Sequence, residues 1–423
     1  MNRDKSGIAR RDFLRVIGIT GLGLGFNLQQ RLAEGTPPDS FTAKAKGAII
    51  VGLDIGSSKV CVAVGERQSD DAIKILGVGQ APSRGVRKGE IFDLGAASKC
   101  VHNALVDAEV KTDVMIRSVY VGITGPHIST FNNRGSVTIA EEQEGVEEKD
   151  FEQVRTNARE VSIPVNNAFI HSVLRHYYLD GRDVLNPIGM TGRKLEADFH
   201  IVRGWLWPAK NTIRCVREIP IEIEDLVFNP LAAAQAVLTQ DQKNLGALVI
   251  DIGGGTTDYI VYADGAVTNS GCLTFGGHHI TNDLSMGLRI PAPRAEKLKI
   301  EEGSVTVGQS MEIECEEINT FIRCHMRETF ESMKERLETD GARFDLLGAG
   351  IQLTGGCSML RGIGELAQEV FGLPAQLACV KGISGSRSIL ENPLYSCAIG
   401  LVKYGTRVAD AQGLRIPCKK TTC

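Results

Sequence analysis

A chain of 423 residues exceeds what one ordinary hydrophobic core organises, so two or more domains are expected. Its 43% hydrophobic and 23% charged residues suit a soluble globular protein, and a net charge of −4 supplies no basic field, which argues against a nucleic-acid partner. The 11 cysteines are odd in number and scattered without a Cys-x-x-Cys pair, a pattern that fits a reducing compartment and not a disulfide scaffold.

Residues 1–46 differ from the rest in composition. Arg10-Arg11-Asp12-Phe13-Leu14-Arg15 precedes the uncharged, Gly-rich run Val16–Leu28, the look of a twin-arginine export signal. As a helix that run would span roughly 20 Å against about 30 Å of hydrocarbon, too short to cross a bilayer. Three readings stay open: a membrane-surface anchor, a misplaced start, or an export signal, the last in conflict with the many thiols. Thr36-Pro37-Pro38-Asp39-Ser40 reads as a linker.

From Gly47 to about Arg84 apolar and polar residues alternate as in strands. Glu90–Val110 reads as a helix with Leu94, Val101, Leu105 and Val106 apolar; Val119–Ile123 is a strand and Glu141–Lys149 an acidic, solvated loop. Pro164–Ile223 returns to strands, Pro230–Thr239 is helical, and Leu245 opens the second half. Arg294–Glu302 and Glu312–Glu338 are helices, the second with Ile318, Phe321, Ile322, Met326 and Phe330 on one face. Cys61, Cys215, Cys272 and Cys397 lie in apolar runs and read as small buried hydrophobes, whereas Cys418 and Cys423 read as incidental.

Two far-separated segments nearly match. Gly52-Leu53-Asp54-Ile55-Gly56-Ser57-Ser58-Lys59-Val60 and Val249-Ile250-Asp251-Ile252-Gly253-Gly254-Gly255-Thr256-Thr257-Asp258 each end an apolar strand with Asp, turn on Gly and hydroxyl residues, and re-enter an apolar run. Such a hairpin tip presents N–H groups and hydroxyls, and only Gly lets backbone approach phosphate closely. One Asp-x-Gly turn alone reads as an ordinary hairpin; the duplication predicts a clamp on a nucleotide's phosphates. Asp54 and Asp251 are placed to hold Mg²⁺ through water. A third turn, Leu353-Thr354-Gly355-Gly356-Cys357-Ser358-Met359, would let a ring or sugar lie against the backbone.

In order and spacing these motifs resemble the actin, sugar kinase and chaperone ATPase superfamily. The segments His171-Ser172-Val173, Tyr178-Leu179-Asp180-Gly181, Asn186–Gly192, Leu195-Glu196, Pro230–Thr239, Gly276–Leu284 and Asn392–Val402 resemble more specifically the bacterial cell-division actin FtsA, over about Gly47–Val408. The resemblance implies a two-lobed α/β fold with ATP and Mg²⁺ in the interlobe cleft and an inserted subdomain. It implies lobe one at 47–84 and 162–228, the insertion at 85–161, lobe two at 229–283 and 346–408, a small subdomain at 284–345 and a tail at 409–423.

The same resemblance implies phosphate contacts from Gly56, Ser57, Ser58 and Lys59 on one side and from Gly253, Gly254, Gly255, Thr256 and Thr257 on the other. Gly276, Gly277, Glu296, Lys299, Gly355, Gly356 and Met359 would enclose the nucleoside. Asn229 stands where chaperone relatives carry a Glu; an amide positions water but takes no proton, so turnover is expected to be slow. His278 and His279 are adjacent and diverge, which favours packing over a shared metal. Implied partners are other copies of the chain, division proteins, the membrane surface, and the C-terminal peptide of FtsZ. Arg323, Arg327 and Lys334 are candidate exposed contacts for that peptide. The expected place is the cytoplasmic face of the inner membrane at the septum. Alternatives are a pilus-assembly scaffold actin and a sugar- or acetate-type kinase.

Overall fold

The computed structural model describes residues 47–68, 72–139, 145–159, 164, 166–306 and 313–411. The N-terminal segment, the cysteines at 418 and 423, and residues 412–423 of the tail lie outside them.

The chain builds one sheet topology twice. Lobe one holds β1 (Ile49–Ile55), β2 (Lys59–Arg67) and β3 (Ile73–Pro82) as an antiparallel meander. The short pair β4 (Val86–Arg87) and β5 (Glu90–Ile91) then leads to helix α1 (Leu94–Thr112). Strand β6 (Ser118–Ile123) joins β1 in parallel, and β11 (Glu222–Phe228) joins β6 in parallel, giving the order β11-β6-β1-β2-β3. Lobe two repeats this with β12 (Ala247–Ile252), β13 (Thr257–Ala263), β14 (Ala266–Leu273), β15 (Ile351–Thr354) and β16 (Ala375–Leu377), in the order β14-β13-β12-β15-β16. β1, β2, β12 and β13 are Val/Ile-rich and almost wholly buried, because helices or the facing lobe cover both sheet faces.

A separate four-stranded antiparallel sheet, in the order β7-β10-β8-β9, uses β7 (Ile128–Thr138), β8 (Asn167–Leu179), β9 (Arg182–Val184) and β10 (Lys194–Trp205). Helix α2 (Glu148–Arg159) packs on it through Val154 and Ala158, around Phe199, Leu195 and Ile201. The inserted unit therefore spans about 128–205. The expected boundary of 85–161 is corrected at both ends. Residues 94–123 belong to lobe one, since β6 hydrogen-bonds to β1; residues 167–205, assigned to lobe one, instead form a sheet with β7, β10 pairing with β7 and β8 with β10. The bland pattern of β8 and β10 carries no mark of which sheet they join.

Helix α3 (Leu206–Arg217) returns to lobe one, and α4 (Asn229–Val237) fills the space between the lobes. Helix α5 (Gln240–Leu245) starts with a capping box of Thr239 and Gln242. Beyond β14, α6 (Gly277–Gly287), α7 (Ala292–Glu301) and α8 (Ile313–Thr339) pack on the second sheet with α9 (Ile363–Phe371). Ile318, Ile322, Met326 and Phe330 of α8 are buried as expected, but Phe321 is exposed at the edge of that stripe. Arg323, Arg327 and Lys334, expected to be free for a partner, are half-buried: both arginines pair with Glu369 and Lys334 Nζ donates to Val370 O. After a short helix α10 (Arg387–Leu390), α11 (Ser396–Ala411) crosses back onto β1, β2 and α4. Its assignment to lobe two is thus also corrected. Among the described residues no helix is long and apolar enough to cross a membrane.

Candidate functional site

The two Asp-tipped turns meet across the cleft between the five-stranded sheets. They match in geometry as well as in sequence. The Gly56 N–H donates to Lys59 O at 3.0 Å, and the Gly253 N–H donates to Thr256 O at 2.9 Å, the same bond at the same offset from the preceding Asp. Their tips touch. A Cβ on Gly255 would lie 2.4 Å from Ser57 Oγ, and one on Gly254 would lie 2.8 Å from Ser58 Oγ, so neither position tolerates a side chain.

A cavity of about 480 Å³ opens between the turns, a size suited to a small ligand. Asp54, Gly56, Ser57, Ser58, Lys59 and Asn229 line it from lobe one; Asp251, Gly253, Gly254, Gly255, Thr256, Gly277, Glu296, Lys299, Gly355, Gly356 and Met359 line it from lobe two. Thr257 and Gly276 lie behind the wall. The buried Thr257 hydroxyl donates to Phe275 O at 3.0 Å, while Gly276 presses on the backbone of Gly253 and Gly254. The structure adds Thr124, Asp258, Cys357, Arg361 and Cys397 to the lining. Asp258 ends the second motif and pairs directly with Asp251 across β12 and β13, a signal present in the strand alternation. Cys357 lies within the third turn motif, whereas Thr124, Arg361 and Cys397 come from segments with no local signal for the site.

Three carboxylates crowd the floor. Burial, followed by the charges of Asp258 and Asp54, pushes Asp251 up to about 8; burial also pushes Asp258 up to about 7, against hydrogen bonds from Thr124 and Cys272. Asp54 is raised by burial too, with Lys59 and Asn229 pulling it back. Asn229 donates from Nδ2 to Asp54 Oδ1 at 3.2 Å, and its own buried Oδ1 has no partner among the described residues. Gly355, at φ +84°, lies so close that a Cβ would sit 2.2 Å from Asp251 Oδ1. This set of hard oxygens around excess negative charge fits Mg²⁺. Among the described residues no group of three or more His, Cys, Asp or Glu forms a direct metal cage.

The far wall is prebuilt. Lys299 is buried and donates from Nζ to Gly277 O and Thr281 Oγ1, each at 2.9 Å, and to Glu296 Oε2 at 2.6 Å. Burial works to raise Glu296, but hydrogen bonds from Lys299 and Thr281 outweigh it and hold the carboxyl below its usual range. His278 reaches Ser58, whereas His279 turns away and stacks on His325 with centroids 6.0 Å apart.

Two family models match the chain: "Cell division protein FtsA" over residues 248–400, and "SHS2 domain inserted in FTSA" over residues 125–203. FtsA of Pseudomonas aeruginosa is 35% identical over 376 residues, 85% of this chain and 89% of that protein. FtsA of Neisseria meningitidis is 36% identical over 367 residues, 83% and 88% of the respective lengths. Among solved structures, one titled "PilM-PilN type IV pilus biogenesis complex" superposes with a TM-score of 0.61 at 17% identity, covering 84% of this chain and 98% of that one. That identity speaks for the two-lobed fold alone.

Proposed function

This chain belongs to the FtsA family of cell division proteins, and we propose that it binds Mg·ATP in the interlobe cleft and uses it mainly as a conformational ligand. One observation carries the reading: two turns far apart in sequence, closed by the same hydrogen bond, converge on a single cavity with a carboxylate beneath each. Gly56–Lys59 and Gly253–Thr256 offer N–H groups, hydroxyls and one ammonium to phosphate oxygens. Asp54, Asp251 and Asp258 hold Mg²⁺ through water, and the bound ion neutralises phosphate charge. The Lys299–Glu296 wall and the Gly355-Gly356 turn enclose the nucleoside. Asn229 orients water without accepting its proton, which keeps hydrolysis slow.

The wider role we assign is assembly at the cytoplasmic face of the membrane, self-association, and tethering of FtsZ through its C-terminal peptide. Family membership supports it. The pilus-scaffold alternative has fold likeness at 17% identity against 35% for the division relative. For the kinase alternative, the one cavity carboxylate not assigned to the cation, Glu296, is already held by Lys299 and Thr281. Replacing Asp251 by Ala should weaken Mg·ATP binding about tenfold or more, while Lys149→Ala, at the distant surface of α2, should not. Equal affinities in calorimetry would remove the cleft reading. A full chain showing no saturable binding of the FtsZ C-terminal peptide would remove the tether.

A further inference from the structure

The lobes touch at the mouth of the cleft through one side chain that the nucleotide reading leaves without a task. His278 is anchored in lobe two: its N–H donates to Gly254 O at 2.8 Å, beside the Gly277 N–H that donates to Gly253 O at 3.0 Å. The start of α6 is thereby tied to the second turn. The imidazole then leaves its own lobe. Its Nε2 shares a 3.0 Å hydrogen bond with Ser58 Oγ, at the tip of the first turn. Gly254 makes room for the crossing, since a Cβ there would stand 2.8 Å from Ser58 Oγ and 3.3 Å from His278 Nε2.

Both partners are exposed, so the bond lies on the solvent side of the turns. A second cross-lobe bond, from Thr124 Oγ1 to Asp258 Oδ1 at 2.5 Å, lies buried at the floor. The phosphate end of the cleft is therefore pinned inside and outside, and any ligand leaving between the tips must part the outer pin. The neighbouring histidine does none of this. His279 faces Phe275 and His325 with centroids 5.8 and 6.0 Å away.

We propose that His278 is a positioning residue that clasps the two phosphate turns across the cleft mouth, holding Ser58 in place and slowing nucleotide release. The proposal rests on the cleft being a nucleotide site. An exposed neutral hydrogen bond contributes modestly, so its loss should speed release about three- to tenfold.

The test uses the full chain with Mg²⁺ and fluorescent N-methylanthraniloyl ADP and ATP, chased by unlabelled nucleotide in stopped flow. His278→Ala should speed release; His278→Asn, whose amide can still bond a hydroxyl, should restore part of the effect; His279→Ala should leave release unchanged. Ser58→Ala also removes a phosphate contact, so the diagnostic is the cycle. Once Ser58 is Ala, adding His278→Ala should change the rate little. Release from His278→Ala within about twofold of wild type, or effects that multiply fully, would overturn the clasp. If wild type binds neither labelled nucleotide, the cleft reading itself falls. The clasp is then decided by hydrogen exchange at residues 253–256 in the free protein. Faster exchange in His278→Ala supports it, and unchanged exchange overturns it.

Discussion

Asp258 shows at the scale of one residue how a site for charge is built at the expense of stability. It is buried, it sits opposite Asp251 in the strand pairing, and it accepts from the Thr124 hydroxyl and the Cys272 thiol. Burial raises both acids, Asp258 to about 7 with the charge of Asp54 adding, and Asp251 to about 8 with the charges of Asp258 and Asp54 adding. Asn at 258 would still accept from Thr124 and would carry no charge. Asp258→Asn should therefore raise the melting temperature of the ligand-free protein by about 2–4 °C while weakening Mg·ATP binding. Thermal unfolding with and without Mg·ATP checks both halves. A variant that melts lower in the free state would show that Asp258 is held by contacts worth more than the repulsion.

At the scale of elements, α11 and α4 set the positions of cavity residues by close backbone approach. A Cβ on Gly400 of α11 would lie 1.9 Å from Ala232 O of α4, and one on Gly52 of β1 would lie 2.2 Å from Ala398 O. The small residues Ala232, Ala233 and Ala234 are fully buried in that contact zone. Asn229 begins α4 and Cys397 lies in the first turn of α11, so both lining residues ride on this packing. Gly400→Val must push the helices apart, costing about 1–3 kcal/mol and loosening nucleotide binding with it. An unchanged denaturation midpoint would mean that the two helices separate freely. The sequence shows α4 as a helix between Pro230 and Thr239 but shows nothing of the helix it meets, because that contact closes over some 170 residues (Gly400 to Ala232).

Across the whole molecule, the inserted sheet also grips lobe two. Asn132 Nδ2 donates to Thr268 O at 2.9 Å, and Thr130 Oγ1 donates to Ser270 O at 2.6 Å. His200 lies between them, with Nδ1 2.7 Å from Asn132 Oδ1 and Nε2 2.7 Å from Ser270 Oγ. Since the Asn132 amide nitrogen is already committed to Thr268, its oxygen must accept from Nδ1–H, which leaves Nε2 to accept from the Ser270 hydroxyl. A neutral ring satisfies this network, and a charged one would have to be held in a buried site. Burial, assisted by the charge of Arg175, pushes His200 down to about 3. Unfolded, the ring titrates near 6.5, so the unfolded chain takes up the proton first. The stability from this group is complete above that value and is lost as pH falls from about 6.5 toward 3. Between pH 7 and 5 wild type should lose up to about 2 kcal/mol more than His200→Asn, measured by urea unfolding; parallel losses would mean that the ring is not held neutral. The membrane-surface reading of residues 1–46 belongs to the same scale. Arg3, Lys5, Arg10, Arg11 and Arg15 precede the apolar run Val16–Leu28, and basic groups near an anionic leaflet contribute roughly 1 kcal/mol each. Deleting residues 1–35 should release the chain from anionic liposomes with ATP binding intact; binding that survives the deletion places the anchor elsewhere.

The turns were legible from sequence because their chemistry is local. Asp54 and Asp251, each two residues before the Gly of a tight turn, announce strand end, carboxylate and Gly-containing turn within ten residues. The long apolar stripe of α8 was legible for the same reason, since 3.6-residue periodicity is a property of one segment. Which sheet a strand joins is another matter. β8 and β10 carry no pattern that names their sheet, and only their hydrogen bonds to each other and to β7 set them apart from lobe one. The reach of His278 to Ser58, 220 residues away, and the entry of Cys397 and Thr124 into the cavity depend likewise on folding. By itself the sequence determined the duplicated turns and the carboxylate that precedes each. Tertiary structure alone decided the limits of the inserted sheet, the lobe to which α11 returns, and the side chains that meet across the cleft, because these rest on contacts between segments whose local patterns are compatible with several neighbours.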